Sequence, residues 1–209
     1  MTFSKKNAVV ATAISSAFLL SGSQAISSLS MTEALDSVKQ VAPKEEDTTE
    51  LVEAEPTPMW VGENFNSNES RVLEFLQERG ITDRSALATI LGNIKQESMF
   101  ETTICEGGVK TGYHRCYSGG FGLIQWTSIN RYRGLGNFSA KYGLDPNSLD
   151  AQLRWMVNEI EWRKVDHIWK REGGSIDTYM NAAYRWLGWG VHGNRTLYAH
   201  NYYNALSMV

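Results

Sequence analysis

A series of capped, amphipathic segments beyond residue 66 limits this chain to a mainly helical fold. Residues that can accept backbone hydrogen bonds precede runs in which apolar side chains recur at helical spacing. The clearest run places Leu87, Ile90, Leu91 and Ile94 on one face. Strand patterns are weak and indicate at most a short hairpin in the glycine-rich stretch 106–122. The sequence therefore predicts one mainly α domain over residues 67–209.

The starts of the helices are predicted from residues that cap a first turn. After Ser148, the segment LDAQLRWMVNEIEW is predicted as one continuous helix because its apolar residues share a side. The full set of predicted caps is Ser67 or Asn68, Thr82, Thr127 or Ser128, Ser148, Ser175 and Asn194.

Residues 1–25 have the three parts of a secretory signal. Lys5 and Lys6 precede an apolar run from Ala8 to Leu20, and small residues end the segment at Ala25. The run is too short and too rich in Ser and Thr for a stable membrane span. We expect an exported protein, in the periplasm or outside the cell. A retained amphipathic start, or a pro-segment trimmed during particle assembly, is the alternative.

Residues 26–66 are predicted to form an acidic, flexible linker. They contain nine acidic residues and two lysines, with few large apolar side chains to offset the entropy of ordering. The remaining residues, 67–209, carry 16 basic and 14 acidic side chains, and they show no basic stripe typical of nucleic-acid binding. We expect no nucleic-acid partner, and the linker could instead attach the domain to other virion or tail proteins.

The two cysteines, Cys105 and Cys116, flank the glycine-rich segment EGGVKTGYHR. An exported protein would allow them to form a disulfide. The competing hypothesis is a catalytic thiol paired with His114, in a cysteine-dependent peptidase. The four histidines show no ligand spacing, so we predict neither a metal nor a cofactor.

Glu97 breaks the pattern of its helix. It follows Ile94 by three residues and Ile90 by seven, so it extends the apolar face. Burial and the carboxyl end of a helix both disfavour a charged carboxylate and raise its pKa. A carboxyl that keeps its proton can act as a general acid on a glycosidic oxygen. A boundary glutamate paired with Lys or Arg is the other interpretation.

Two motifs now give a resemblance. LGNIKQESMF, followed by SGGFGLIQWTSINRYRGL, resembles the lysozyme-like domain of phage tail-tip lysozymes, in the superfamily of goose-type lysozymes and lytic transglycosylases. The family pattern is GN-x-x-x-ES-x-F and then GG-x-G-x-x-QW followed by Arg. The likeness spans about Glu69 to Leu206, including DAQLRWMVNEI and NRTLYAHNYYNAL. It implies a mainly α, lysozyme-like fold and peptidoglycan glycan strands as the substrate.

The resemblance assigns roles to individual positions. Glu97 matches the catalytic acid, and Ser98 supports the helix end. Gln125 matches a residue of the cleft floor, as a substrate contact or as an amide bonded to loop backbone. Tyr184 lies where the superfamily places a cleft aromatic, although Arg185 and Trp186 depart from the expected acidic residue. The matching glycines let backbone approach the sugar, namely Gly119, Gly120 and Gly122.

A hydrolase of this kind needs a second carboxylate, which the sequence does not single out. Glu106 could swing in from the glycine-rich loop, and Glu159 matches an acid of the family but could equally pair with Arg163. The other candidates are Glu101, Asp145 and Asp150. A lytic transglycosylase needs no second carboxylate. We therefore predict a muramidase with Glu97 as the acid. The alternatives are a lytic transglycosylase, a glycan-binding module and a structural tail or wall protein with vestigial activity.

Overall fold

A computed structural model describes residues 59–117 and 119–209. The predicted signal-like segment and most of the predicted linker lie outside these residues. The described part is mainly helical, as predicted, with two small two-stranded sheets. Its helices are α1 Ser67–Gln77, α2 Arg84–Ser98, α3 Ile129–Tyr142, α4 Leu149–Asn158, α5 Ile160–Arg163, α6 Asp166–Trp169, α7 Ile176–Leu187 and α8 Arg195–Ala205.

Local capping explains most of the helix starts. Ser128, Ser148 and Ser175 accept a backbone hydrogen bond in the first turns of α3, α4 and α7, as predicted. The caps of α1 and α2 differ from the predicted residues by one or two positions. Asn66 forms a capping box with Glu69, and Asp83 caps α2.

The segment after Ser148 is not one helix. α4 ends at Asn158 because Glu159 adopts extended backbone, with ψ of 154°, before α5 begins. The break turns the Glu159 side chain into the protein interior, where it is only 2% exposed. The prediction of a continuous helix over this segment was wrong. The apolar residues keep helical spacing on both sides of Glu159, whereas the break itself depends on contacts with residues distant in the sequence.

The two ends of the described chain pair with each other. β1, Trp60–Gly62, runs antiparallel to β4, Leu206–Met208, with Val61 opposite Ser207. Residues 60–66, placed in the linker from composition, therefore belong to the folded domain. The expected hairpin is present as β2, Ile104–Cys105, paired with β3, Val109–Lys110.

The core is rich in tryptophan. Trp126, Trp162, Trp169 and Trp186 are all buried, and Trp162 packs edge-on against Trp186 with ring centroids 4.9 Å apart. These four tryptophans therefore stabilise the fold.

The α2–α8 contact is the most extensive helix packing in the domain and positions the site. Gly92 on α2 permits it, because a Cβ atom there would lie 2.5 Å from the backbone nitrogen of Ala199 on α8. The helices run antiparallel, so the later residues of α2 face the first residues of α8. This register brings Glu97 beside Arg195.

Candidate active site

Glu97 occupies the last turn of α2, where its carboxylate forms one ion pair. Arg195 donates from Nη2 to Glu97 Oε1 over 2.7 Å. The Glu97 side chain is 14% exposed and that of Arg195 is 5% exposed, so both charges are largely removed from water. Among the described residues, Arg195 is the one that donates a hydrogen bond to this carboxylate.

Neighbouring contacts fix the position of Arg195. Gln96 Oε1 accepts a 2.8 Å bond from the backbone N–H of Asn194, the residue that precedes α8. Asn194 itself supplies no side-chain cap, so Gln96 satisfies one donor at that helix start. The guanidinium of Arg195 also lies over the Trp189 ring, 4.6 Å from its centroid. Adjacent residues of α2 thus hold the first turn of α8 and pair with its arginine.

Two cavities adjoin at Glu97 and together form a groove. One, of about 560 Å³, is bordered by Arg131, Trp189 and Arg195. The other, of about 330 Å³, is bordered by the β2–β3 loop and by Lys95 and Tyr198. Glu97 and Gln125 line both cavities. The carboxyl therefore lies midway along an open surface with polar and aromatic walls, a form suited to an extended ligand.

The floor of the groove is tied to the end of α2. Ser98 donates from Oγ to the carbonyl of Leu123 over 2.7 Å. Gln125 donates from Nε2 to the carbonyls of Gly122, at 3.0 Å, and Ile104, at 3.3 Å. The predicted bonding of the Gln125 amide to loop backbone is therefore present, and because the residue also lines the groove, its contact with substrate stays a prediction.

Left-handed backbone at non-glycine residues is concentrated at this site. Met99 has φ of 52° and Gln125 has φ of 51°, and both residues line the groove. Such conformations cost energy and occur most often where function requires them. Met99 is the left-handed C-cap that ends α2, so its conformation places the turn directly after Glu97 at the edge of the groove.

Burial determines the acidity of Glu97. It raises the pKa of this carboxyl above the ordinary glutamate value, while the charge and hydrogen bond of Arg195 and the charge of Arg131 oppose the rise. The carboxyl can therefore retain a proton at a higher pH than a solvent-exposed glutamate, which is the condition for proton donation to a substrate oxygen.

Comparison with known proteins identifies the family of this domain. Residues 67–206 match the family described as phage tail lysozyme. The chain belongs to this family. A segment of 98 residues is also 33% identical to "Morphogenesis protein 1" of Bacillus phage B103, covering 45% of this chain and 24% of that protein. The similarity therefore spans about a quarter of the relative. Membership of the phage tail lysozyme family indicates a lysozyme-like action on peptidoglycan.

None of the five other candidate carboxylates lines the groove of this phage tail lysozyme domain. Glu106 is exposed, and its carboxylate lies over the backbone of Gly119. The rest have partners elsewhere: Glu101 with Lys110, Asp145 with Asn147, Asp150 with Arg154 and Glu159 with Arg131. Among the described residues, Glu97 is thus the only acid that borders either cavity.

Glu159 is bound on every side by the protein. Arg131 donates to both of its oxygens, at 2.8 Å and 2.6 Å, and the indole N–H groups of Trp126 and Trp186 each donate at 3.2 Å. The structure therefore places Glu159 as the anchor of Arg131 and of two core tryptophans, away from any water in the groove. The alternative sequence interpretation, a pair with Arg163, is wrong.

The glycines that match the family motif pack closely against neighbouring residues. A Cβ atom at Gly120 would lie 2.7 Å from Cβ of Gln125, and one at Gly122 would lie 2.6 Å from Oε1 of Gln152. Gly122 also has φ of 70°, which favours glycine. Both glycines let the floor of the groove fold tightly, and neither lines the two cavities, so their approach to a sugar stays a prediction.

The aromatic wall of the groove comes from Trp189 instead of Tyr184. Tyr184 is exposed and its ring packs edge-on against Trp189 at 5.3 Å, while Trp189 itself borders the cavity. Tyr184 therefore contacts the wall residue but does not itself line either cavity, and its predicted role in substrate binding stays a prediction. Trp189 follows Gly188, the glycine that ends α7. It therefore lies outside any helical pattern of apolar residues, and no such pattern could have identified it as a groove residue.

Cys105 and Cys116 are joined by a disulfide, with Cα atoms 5.7 Å apart. The bond closes the glycine-rich loop, and Cys105 borders the smaller cavity. Because both sulfurs are bonded to each other, the hypothesis of a thiol-dependent peptidase has no nucleophile to support it. The described residues also contain no cluster of three or more His, Cys, Asp or Glu side chains suited to a metal.

Within residues 59–117 and 119–209, every helix is too short or too polar to cross a bilayer.

Proposed function

We propose that this protein cleaves the β-1,4 bond between N-acetylmuramic acid and N-acetylglucosamine in peptidoglycan, with Glu97 as the general acid. The observation that supports this most directly is the placement of Glu97 where the two cavities join, so that a strand lying along the groove would cross it. Arg195 donates to its Oε1 and no other described residue donates to this carboxyl, so Oε2 would be available to a ligand.

The chemistry requires a proton at the leaving oxygen. Glu97 would donate it to the glycosidic oxygen, the bond from that oxygen to C1 of the muramic acid would break, and the electron pair would remain on the oxygen. Arg195 and Arg131 leave the larger cavity with more positive than negative charge, which suits the carboxylates that peptidoglycan carries.

A lytic transglycosylase is the second candidate. It is favoured by the finding that Glu97 is the only described acid bordering the groove. In this reaction the ionised Glu97 would take the proton of the C6 hydroxyl of the same muramic acid. Oxygen O6 would then bond to C1 and form an anhydro end, without water. A hydrolase would instead add water at C1, and a second carboxylate normally activates that water.

The decisive variant is Glu97→Gln, which keeps an oxygen that can accept from Arg195 but cannot donate an acidic proton. We expect lysis of purified peptidoglycan, followed by turbidity, to fall by a factor of about 10² to 10⁴. Glu74→Gln is the matched control, since Glu74 is exposed on α1 and pairs only with Arg71 among the described residues. Circular dichroism checks that both variants fold.

Full activity in Glu97→Gln would refute the proposal. Binding of glycan by a wild-type protein that has no lytic activity would favour the glycan-binding module instead. Mass spectrometry of the wild-type products separates the two chemistries, because a muramidase gives reducing ends and a transglycosylase gives anhydro ends.

We further propose that the protein acts outside the cytoplasm or on a virion, with residues 1–25 as an export signal and residues 26–59 as a tether. The proposal is supported by the signal-like sequence and by the disulfide, which needs an oxidising compartment. The mass of the mature protein tests it, since cleavage after Ala25 would remove residues 1–25. An uncleaved chain in the cytoplasm would contradict it.

A further inference from the structure

Arg195 is an unusual neighbour for a proposed acid, because its positive charge favours the wrong protonation state. An arginine beside a carboxylate stabilises the ionised form, whereas proton donation needs the neutral form. The arginine is also buried, at 5% exposure, so it cannot be regarded as a solvated surface partner. Its presence calls for a role that outweighs this cost.

The bonding of Arg195 is incomplete in a specific way. Its Nη2 makes the 2.7 Å bond to Glu97, its Nη1 lies 3.5 Å from the carbonyl of Asn93, and its buried Nε has no hydrogen-bond partner. An arginine placed for stability alone would normally satisfy its donors in such a buried site. Here the single strong bond goes to one oxygen of Glu97, and the face of the guanidinium rests on Trp189.

The surrounding elements fix the positions of the two residues that form the Arg195–Glu97 hydrogen bond. Gly92 lets α8 pack closely on α2, and Gln96 holds the backbone at the start of α8. Arg195 therefore restricts the orientation of the Glu97 carboxyl, because Oε1 is occupied by its hydrogen bond while Oε2 has no donor among the described residues. A fixed orientation matters because misplacing a catalytic group by 1 Å can cost about 100-fold in rate.

We propose that Arg195 is a positioning residue, which sets both the orientation of the Glu97 carboxyl and the pH range in which it carries a proton. The proposal rests on the proposed role of Glu97. The charged groups that border the groove with Glu97 are Arg195 from α8, Arg131 from α3 and Lys95 from α2 itself, and Lys95 is paired with Glu69 of α1 at 3.6 Å. Arg195 is the one in direct contact with the carboxyl.

The sign of the effect follows from the charge. Arg195 opposes protonation of Glu97, so its removal raises the pKa of that carboxyl further. Lysis declines as pH rises through the pKa of the acid, and this alkaline limb should therefore move to higher pH in Arg195→Met. The maximal rate should fall by about 10- to 100-fold, because the carboxyl is no longer held in place.

Arg195→Lys is the discriminating variant. It restores a positive charge that can make a single bond, which is all that Arg195 makes to Glu97, so we expect an alkaline limb close to that of the wild type. Arg154→Met, which removes an exposed arginine paired with Asp150, should change neither rate nor pH profile. If Arg195→Met fails to fold, Gln96→Ala loosens the start of α8 and should shift the limb in the same direction by less.

Titration of the Glu97 carboxyl by ¹³C NMR provides a test independent of catalysis. An Arg195→Met variant with the wild-type titration midpoint and the wild-type pH profile would overturn the proposal. An Arg195→Lys variant displaced as far as Arg195→Met would overturn the assigned role of the charge. Lysis that persists in Glu97→Gln would instead refute the proposed function, even if the titration of Glu97 still responded to Arg195.

Discussion

Residues 59–117 and 119–209 contain two buried glutamate–arginine pairs, and they differ in how completely the carboxylate is bound. Glu159 and Arg131 form a two-bond pair, and two indole N–H groups occupy the remaining acceptor positions of the carboxylate. Glu97 and Arg195 share one strong bond. Burial raises the pKa of both carboxyls, and in both cases the arginine opposes the rise.

The comparison teaches that burial and a raised pKa do not by themselves identify an acid. Both properties are shared, so they cannot distinguish a structural pair from a functional one. Two features distinguish Glu97 from Glu159: its Oε2 has no donor among the described residues, and Glu97 borders both cavities of the groove. A buried carboxylate whose donors are complete is best understood as part of the core.

The largest expected effect on stability comes from Glu159→Gln. The new amide would direct its N–H donors toward two donors already present, one from Arg131 and one from a tryptophan. We expect the free energy of unfolding to fall by about 3–5 kcal/mol, as when one partner of a buried ion pair is lost. Glu97→Gln should cost less, about 1–3 kcal/mol, because Arg195 loses a charged partner but keeps an acceptor and meets no opposing donor.

Urea or thermal denaturation of the two glutamine variants measures this difference directly. A larger loss of stability in Glu97→Gln than in Glu159→Gln would reverse the assignment of the two pairs.

Loss of the disulfide should have the next largest effect on stability. It concerns the groove that Glu97 borders. Cys105→Ser with Cys116→Ser opens a loop of 11-residue separation that borders the smaller cavity. The loop-entropy account predicts a loss of about 3 kcal/mol in unfolding free energy. We also expect lower lytic activity, because one wall of the groove loses its constraint.

Denaturation and turbidity measurements with and without reductant test this, with the reduced wild type serving as the control. Equal stability of the oxidised wild type and the double variant would show that the bond contributes nothing to the folded wall.

The smallest expected effect is the difference in stability between lysine substitutions of the two arginines. Arg131→Lys cannot reproduce the two-bond geometry at Glu159, so it should lower the free energy of unfolding by about 1–2 kcal/mol. Arg195→Lys replaces a single bond and should cost less. Parallel denaturation curves decide the point, and a greater cost for Arg195→Lys would mean that its guanidinium shape matters more than its charge.

Local features of this fold could be predicted from the sequence, since they depend on neighbouring residues. Ser128, Ser148 and Ser175 cap their helices because a side-chain oxygen needs only the next turn to find a donor. The helical periodicity around Ile90 and Ile94 likewise placed Glu97 at the buried edge of α2. The hairpin in the glycine-rich stretch was found from composition.

Long-range features could not be predicted this way. Arg195 lies 98 positions from Glu97 and β1 pairs with β4 across the whole domain, so no local pattern links either pair. The break at Glu159 depends on donors from three separate segments. The apolar periodicity of α2 is enough to show that Glu97 is exceptional. Its partner, Arg195, can be identified only from the packing of α8 against α2.

The pairing of β1 with β4 also determines how the domain can be joined to other polypeptides. Met59 and Val209 exchange two backbone hydrogen bonds, of 3.1 Å and 3.0 Å, so the chain enters and leaves the fold at one point. A domain with adjacent termini can be inserted into a surface loop of a host protein, or reopened elsewhere after its ends are fused, without rearranging its interior. A polypeptide fused before Met59 or after Val209 would therefore leave the domain from the same side.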